Sequence, residues 1–144
     1  MKKTTFTVML AAALASCSTV QKTASLDTLD GEWRIVSVNG EQLDADDYET
    51  APFFGFNVAE RRVYGCSGCN RLSGELDAGG RDGRLVFGDK IASTRMMCRN
   101  MAAERKVLGA MPSVTSFRPG KKNTMLLTDK SGKTVFELQK TSGK

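Results

Sequence analysis

Apolar residues recur along this chain in short alternating runs broken by turn residues, the pattern of half-buried β-strands. Residues 33–38 are β-branched and aromatic, and Asn39-Gly40 after them is a strong turn dipeptide. Residues 41–51 are acidic and irregular and read as a loop. A second strand is predicted over 52–58, with Phe54 and Phe56 on one face by the period of two. Further strands are predicted over 61–66, 71–76 and 84–87, the last two joined by a glycine-rich turn at 78–83. The period then changes. Over 99–111, Ala103, Val107 and Met111 fall four apart with Leu108 beside them, whereas Glu104, Arg105 and Lys106 take other positions. That spacing predicts an amphipathic helix of about three turns, with Asn100 as N-cap and Pro112 as its stop. Strands at 113–117, 124–128 and 134–139 complete the chain, the last two linked by a hairpin loop at 129–132. No internal repeat interrupts this order. Many short strands with a single late helix predict an α+β fold. An antiparallel sheet of about eight strands curls to protect its edges into a barrel-like form. The helix then lies against its apolar face.

The first residues follow a different rule. Lys2 and Lys3 precede a short apolar run over 6–14, too short to span a bilayer, and then Leu14-Ala15-Ser16-Cys17. This is the form of a bacterial lipoprotein signal over 1–16, with Cys17 acylated and first in the mature chain. Acyl burial contributes about 0.8 kcal/mol per CH2, so two or three chains anchor stably. Ser18 is not the aspartate that retains lipoproteins in the inner membrane of enteric bacteria, so the outer membrane is expected. Residues 17–28, the anchored cysteine and the polar stretch after it, read as a tether, and 29–140 as one folded domain.

Composition narrows the chemistry. The chain has 144 residues and no histidine, which removes Ser-His-Asp and Cys-His nucleophilic pairs and histidine-based zinc sites. Its net charge of +5 falls to +3 without Lys2 and Lys3, and the remaining basic residues are scattered. Nucleic-acid binding would want them clustered with aromatics between, so no nucleic-acid partner is expected.

The chemically dense stretch is 63–74, where Cys66, Cys69 and Asn70 lie among Gly65, Gly68 and Gly74. Cys98 follows in Ser93-Thr94-Arg95-Met96-Met97-Cys98. Cys66-x-x-Cys69 invites a thiol oxidoreductase reading, but it sits between two strands rather than at a helix start. An envelope protein favours a structural disulfide. Zinc lacks a fourth ligand. Cu(I) could use Cys98 with Met96 and Met97, although the ordinary expectation is that one or both methionines pack in the core. No metal or cofactor is therefore expected. Asn70 in its glycine-flanked turn is expected to bond nearby backbone and to tolerate positive φ. The three glycines read as turn or bulge positions. Asp44, Asp46, Asp47 and Glu49 lack the mid-loop glycine of a calcium loop and read as a solvated acidic loop.

Gly68-Cys69-Asn70-Arg71 with Gly74, together with Thr94-Arg95-Met96-Met97-Cys98, resembles the META-domain family of HslJ-like heat-shock lipoproteins. Gly31-Glu32-Trp33, Leu85-Val86-Phe87-Gly88 and Glu104 also match, so the likeness runs from about Leu29 to Lys140. It implies a barrel-like sheet with one helix. It also implies a non-enzymatic envelope module with a stress-response or antibiotic-tolerance role. Such a module would bind a protein partner or a small apolar ligand in the mouth of the sheet. The family positions that carry this likeness are Gly68, Cys69, Asn70, Arg71, Thr94 and Met97. With Cys17 lipidated, three cysteines remain. The family words favour a Cys69–Cys98 bridge, which closes about 30 residues and is worth roughly 3.5 kcal/mol in the chain-entropy model. Cys66–Cys98 closes a loop of nearly the same size, and Cys66 stays an alternative partner.

Overall fold

The computed structural model describes residues 25–79 and 83–141. The expected signal sequence, Cys17 and the expected tether as far as residue 24 lie outside the described residues. Leu26–Thr28 forms a short 3-10 turn, with Leu26 partly buried against the core. Ten strands follow: β1 (Gly31–Val38), β2 (Glu41–Gln42), β3 (Phe53–Asn57), β4 (Arg62–Cys66), β5 (Arg71–Gly79), β6 (Arg84–Phe87), β7 (Ala92–Ser93), β8 (Ser116–Pro119), β9 (Thr124–Thr128) and β10 (Thr134–Lys140). One α-helix, α1 (Met101–Ala110), stands between β7 and β8.

Every pairing is antiparallel. The path β1-β3-β4-β5-β6-β8-β9-β10 returns to β1, so eight strands close a barrel and β2 and β7 are appended to it. Closure runs through the β1–β10 ladder from Trp33↔Lys140 to Val38↔Phe136, with an irregularity between Ile35 and Ser37. A closed ring leaves no open edge along its length.

Inward-facing positions follow the alternation. Phe54 and Phe56 are fully buried on β3, and the Phe54 ring lies 5.2 Å from both Phe87 and Phe136. Val63, Leu72, Leu76, Leu85, Leu127 and Leu138 fill the rest, so the interior is a packed core. Ala103, Val107, Ala110 and Met111 of the helical segment join that same cluster. The Asn100 side chain accepts from the Ala103 N–H at 3.0 Å and caps α1.

Several local expectations are corrected. The acidic stretch is not wholly irregular, because Asn39 (φ 51°) and Gly40 (φ 84°) make a tight turn into β2 and Ala45–Asp47 adds a 3-10 turn. α1 ends at Ala110, just before Pro112 as expected, but the chain does not leave helical geometry at once at the proline. Pro112 sits at the start of a further 3-10 turn (Met111–Ser113), where its missing N–H costs nothing. The strand expected at 113–117 therefore begins only at Ser116. β5 extends to Gly79, and β7 lies in a segment for which no strand was predicted. Gly65 and Gly74 are not bulges: they hold regular positions opposite Phe54 and Val63. They make room instead. A Cβ on Gly65 would fall on the Phe53 carbonyl oxygen, and one on Gly74 would lie 2.8 Å from that of Lys90.

Candidate functional site: a braced loop beside the disulfide

The turn between β4 and β5 (residues 67–70) and the segment 94–98 after β7 meet at one end of the barrel. Cys69 is bonded to Cys98, with Cα atoms 6.1 Å apart, and Cys66 is a free, buried thiol at the end of β4. The Gly68 N–H points at the Cys66 sulfur at 3.4 Å. Cys66-x-x-Cys69 thus holds one thiol and one half of a longer-range disulfide. Gly68 has φ +122°, and a Cβ there would collide with the Tyr48 ring, so this position requires glycine twice over.

The centre of the node is a carboxylate that the helical pattern placed with its polar neighbours. Glu104 is 3% exposed. Its Oε1 accepts from the Ser67 hydroxyl at 2.7 Å and from the Asn70 N–H at 3.0 Å. Its Oε2 accepts from the Asn70 side-chain amide at 3.0 Å. Cys98 Sγ, a disulfide atom without a proton, lies 3.5 Å from the same oxygen. Burial alone would raise the Glu104 pKa. The hydrogen bonds from the Ser67 hydroxyl, the Asn70 side chain and the Asn70 N–H outweigh it and hold the carboxyl below the usual range.

Asn70 is not the local turn residue its neighbours suggested, and it is not among the positive-φ positions. Its amide nitrogen donates to Glu104 and to the Met96 carbonyl at 3.2 Å. Its oxygen accepts from the Thr94 hydroxyl at 2.8 Å and the Met96 N–H at 2.7 Å. Both donors and both lone pairs are used, all across the chain. Thr94 also ties back to Arg71, through a 3.0 Å bond from the Arg71 N–H to its hydroxyl and another from its own N–H to the Arg71 carbonyl.

This brace fixes the backbone of 94–98 and leaves the side chains outside. Met96 is 54% and Met97 92% exposed, which corrects the expectation that they pack in the core. With Cys98 oxidised, a Cu(I) site built on it with those methionines is not formed. Among the described residues no group of three or more His, Cys, Asp or Glu is placed to hold a metal. Met96, Met97, Met101 and Leu108 line a groove of about 480 Å³ against α1, flanked by Arg95 and Arg105. A second hollow, of about 520 Å³, lies at the other end beside Trp33 and Lys140. Arg71 is exposed on the barrel's outer face. The acidic residues at 44, 46, 47 and 49 are exposed, and Glu49 and Asp47 accept bonds from Arg99 and Asn100.

Sequence reasoning counted Glu104 only as a family match and gave Ser67 no role, whereas the structure brings both to the centre of this site. A signal existed: Glu104 stands one residue after Ala103 and three before Val107, which is the helix face that packs inward.

These features define a class: a small, closed antiparallel barrel whose one helix returns a buried carboxylate to a disulfide-tied turn. The META domain model matches residues 24–142, and the chain belongs to the META-domain family. No curated protein matches the sequence. The solved structures similar to this chain include the following three. A protein from Burkholderia xenovorans, determined by NMR, is 19% identical with a TM-score of 0.65, the alignment covering 99% of this chain and 100% of that one. A second NMR structure is 23% identical with a TM-score of 0.57, covering 81% and 94% of the two chains. The crystal structure of a DUF4847 family protein from Bacteroides vulgatus is 16% identical with a TM-score of 0.56, covering 81% and 96%. At these identities the likeness carries the fold.

Proposed function

We propose that this META-domain protein is an envelope lipoprotein that works without catalysis, docking a partner protein on the tip at Met96 and Met97. The observation that carries the reading is the mismatch between that tip and what holds it. A disulfide, a buried carboxylate and a fully engaged asparagine fix a loop that presents two adjacent large apolar side chains to solvent. Rigid presentation lowers the ordering cost of association, and methionine adapts its shape to a partner. Arg95 and Arg105 beside the groove make no ion pair among the described residues, so the fitting partner offers apolar side chains flanked by carboxylates. Within the node no buried polar side-chain atom lacks a partner, which suits a brace better than a reactive centre.

The lipid anchor at Cys17, with the outer membrane as its destination, rests on the signal pattern and Ser18. The stress or antibiotic-tolerance role rests on the HslJ-like resemblance. The test is a photo-reactive residue at position 97 in intact cells, beside one at exposed Glu60. The expected result is a discrete protein adduct at 97, abolished by Arg105→Glu, in the membrane fraction and released from it by Cys17→Ala. Equal labelling at 97 and 60 would remove the docking reading. Insulin reduction by the purified protein that disappears in Cys66→Ser would replace it with thiol oxidoreduction.

A further inference from the structure

The outer face of the barrel carries a second feature, independent of the methionine tip. Cross-strand pairing lines up Glu32, Gly55, Tyr64, Ser73 and Ala92 as one row over β1, β3, β4, β5 and β7. The next row places Phe53, Cys66 and Arg71 side by side. Outward positions on a solvated sheet ordinarily carry long polar chains. Here glycine, serine, alanine and cysteine leave a trough of about 680 Å³. Its floor is the Tyr64 ring. A Cβ on Gly55 would fall within that ring, so the ring lies flat over the glycine, and the residue is 39% exposed. The Tyr64 hydroxyl donates to Glu32 Oε1 at 3.3 Å, which fixes the ring's direction. Phe53 meets it edge-on, with planes at 77°, and walls the trough without stacking over it. At the far side the Arg71 guanidinium makes no ion pair among the described residues, and the Ser73 and Thr50 side chains line the same space.

We propose that this trough binds an acidic saccharide, with one pyranose ring stacked on Tyr64 and its carboxylate held by Arg71. The C–H face of a pyranose meets the negative face of an aromatic ring favourably, and its equatorial hydroxyls match the serine and threonine side chains. A peptide adding as a strand is disfavoured, because β4 and β5 are paired on both sides and β7, paired with β5 alone, is only two residues long. A flat aromatic ligand would want a second ring to enclose it, and Phe53 stands edge-on. The free guanidinium selects for a carboxylate.

The experiment is calorimetric titration of the purified full chain with trigalacturonate and with maltotriose, matched in length and different in charge. Trigalacturonate should bind, and maltotriose at least about tenfold more weakly. Tyr64→Ala should weaken the acidic sugar by about tenfold or more, and Arg71→Gln should erase the preference between the two. Ser73→Gln changes only an exposed strand position and adds no charge, so it should keep the melting temperature while filling the trough and abolishing binding. The proposal is overturned if neither sugar binds at millimolar concentration. It is equally overturned if binding survives Ser73→Gln or the preference survives Arg71→Gln.

Discussion

Replacing Glu104 with glutamine changes one atom at the centre of the node, and its cost can be worked from the contacts. The best arrangement keeps the amide oxygen where Oε1 accepts from Ser67 at 2.7 Å and the Asn70 N–H at 3.0 Å. The amide nitrogen then faces the Asn70 side-chain nitrogen, donor against donor, where Oε2 had accepted at 3.0 Å. Flipping Asn70 gives no escape, because its oxygen already accepts from Thr94 and the Met96 N–H. One buried bond lost with its donor unsatisfied costs about 1–3 kcal/mol. Two bonds weakened from charged to neutral cost about 1 kcal/mol each. The cheaper desolvation of a neutral amide returns about 1 kcal/mol. The net loss is therefore about 3 kcal/mol, or roughly 10 °C in melting temperature for a domain of this size. Acid titration gives the second readout. The folded-state pKa of Glu104 is lowered, so its contribution is complete above the unfolded pKa of about 4.3 and disappears as pH falls through the lower folded value. Wild-type protein should lose stability across that acid window and Glu104→Gln should lose less. The assay is urea unfolding at neutral pH and through the acid range, with exposed Glu60→Gln as control. A variant within about 0.5 kcal/mol of wild type, or with the same acid slope, would refute the brace, since that is the scatter of ordinary surface changes.

Two further outcomes are expected. Cys69→Ser should lower stability by about 3–4 kcal/mol while Cys66→Ser stays within about 1 kcal/mol, and unreduced peptide maps should return only the 69–98 link; the reverse ranking would place the bridge on Cys66. Gly68→Ala should cost about 2–3 kcal/mol in denaturant melts, because the new methyl meets both the positive φ and the Tyr48 ring, and a Tyr48→Ala background should recover part of that loss if the ring is the obstacle.

The closed sheet was legible because period-two alternation and period-four helical spacing are local signals. Phe54 and Phe56 declare an inward face without help from any other strand, and Asn39-Gly40 and Asn100 announce a turn and a cap by their own side-chain chemistry. The short strands β2 and β7 were not legible. Two residues cannot show a period, and such strands exist only because a neighbour offers an edge. Met96 and Met97 were misjudged for a related reason: composition says methionine packs inward, and only the brace on the Met96 backbone turns the side chains out.

By itself the sequence determined the strand-and-helix order, the curled antiparallel architecture, the absence of histidine chemistry and the family words around Cys69 and Cys98. The tertiary structure decided what those words are for. Asn70 and Glu104 stand 34 residues apart, and no spacing rule relates a turn amide to a helix carboxylate across that distance. Their meeting depends on barrel closure, which brings the β4–β5 turn under the start of α1 and takes both groups out of water. Buried polar groups must find each other, and which ones do is settled by packing, the term that local sequence does not carry.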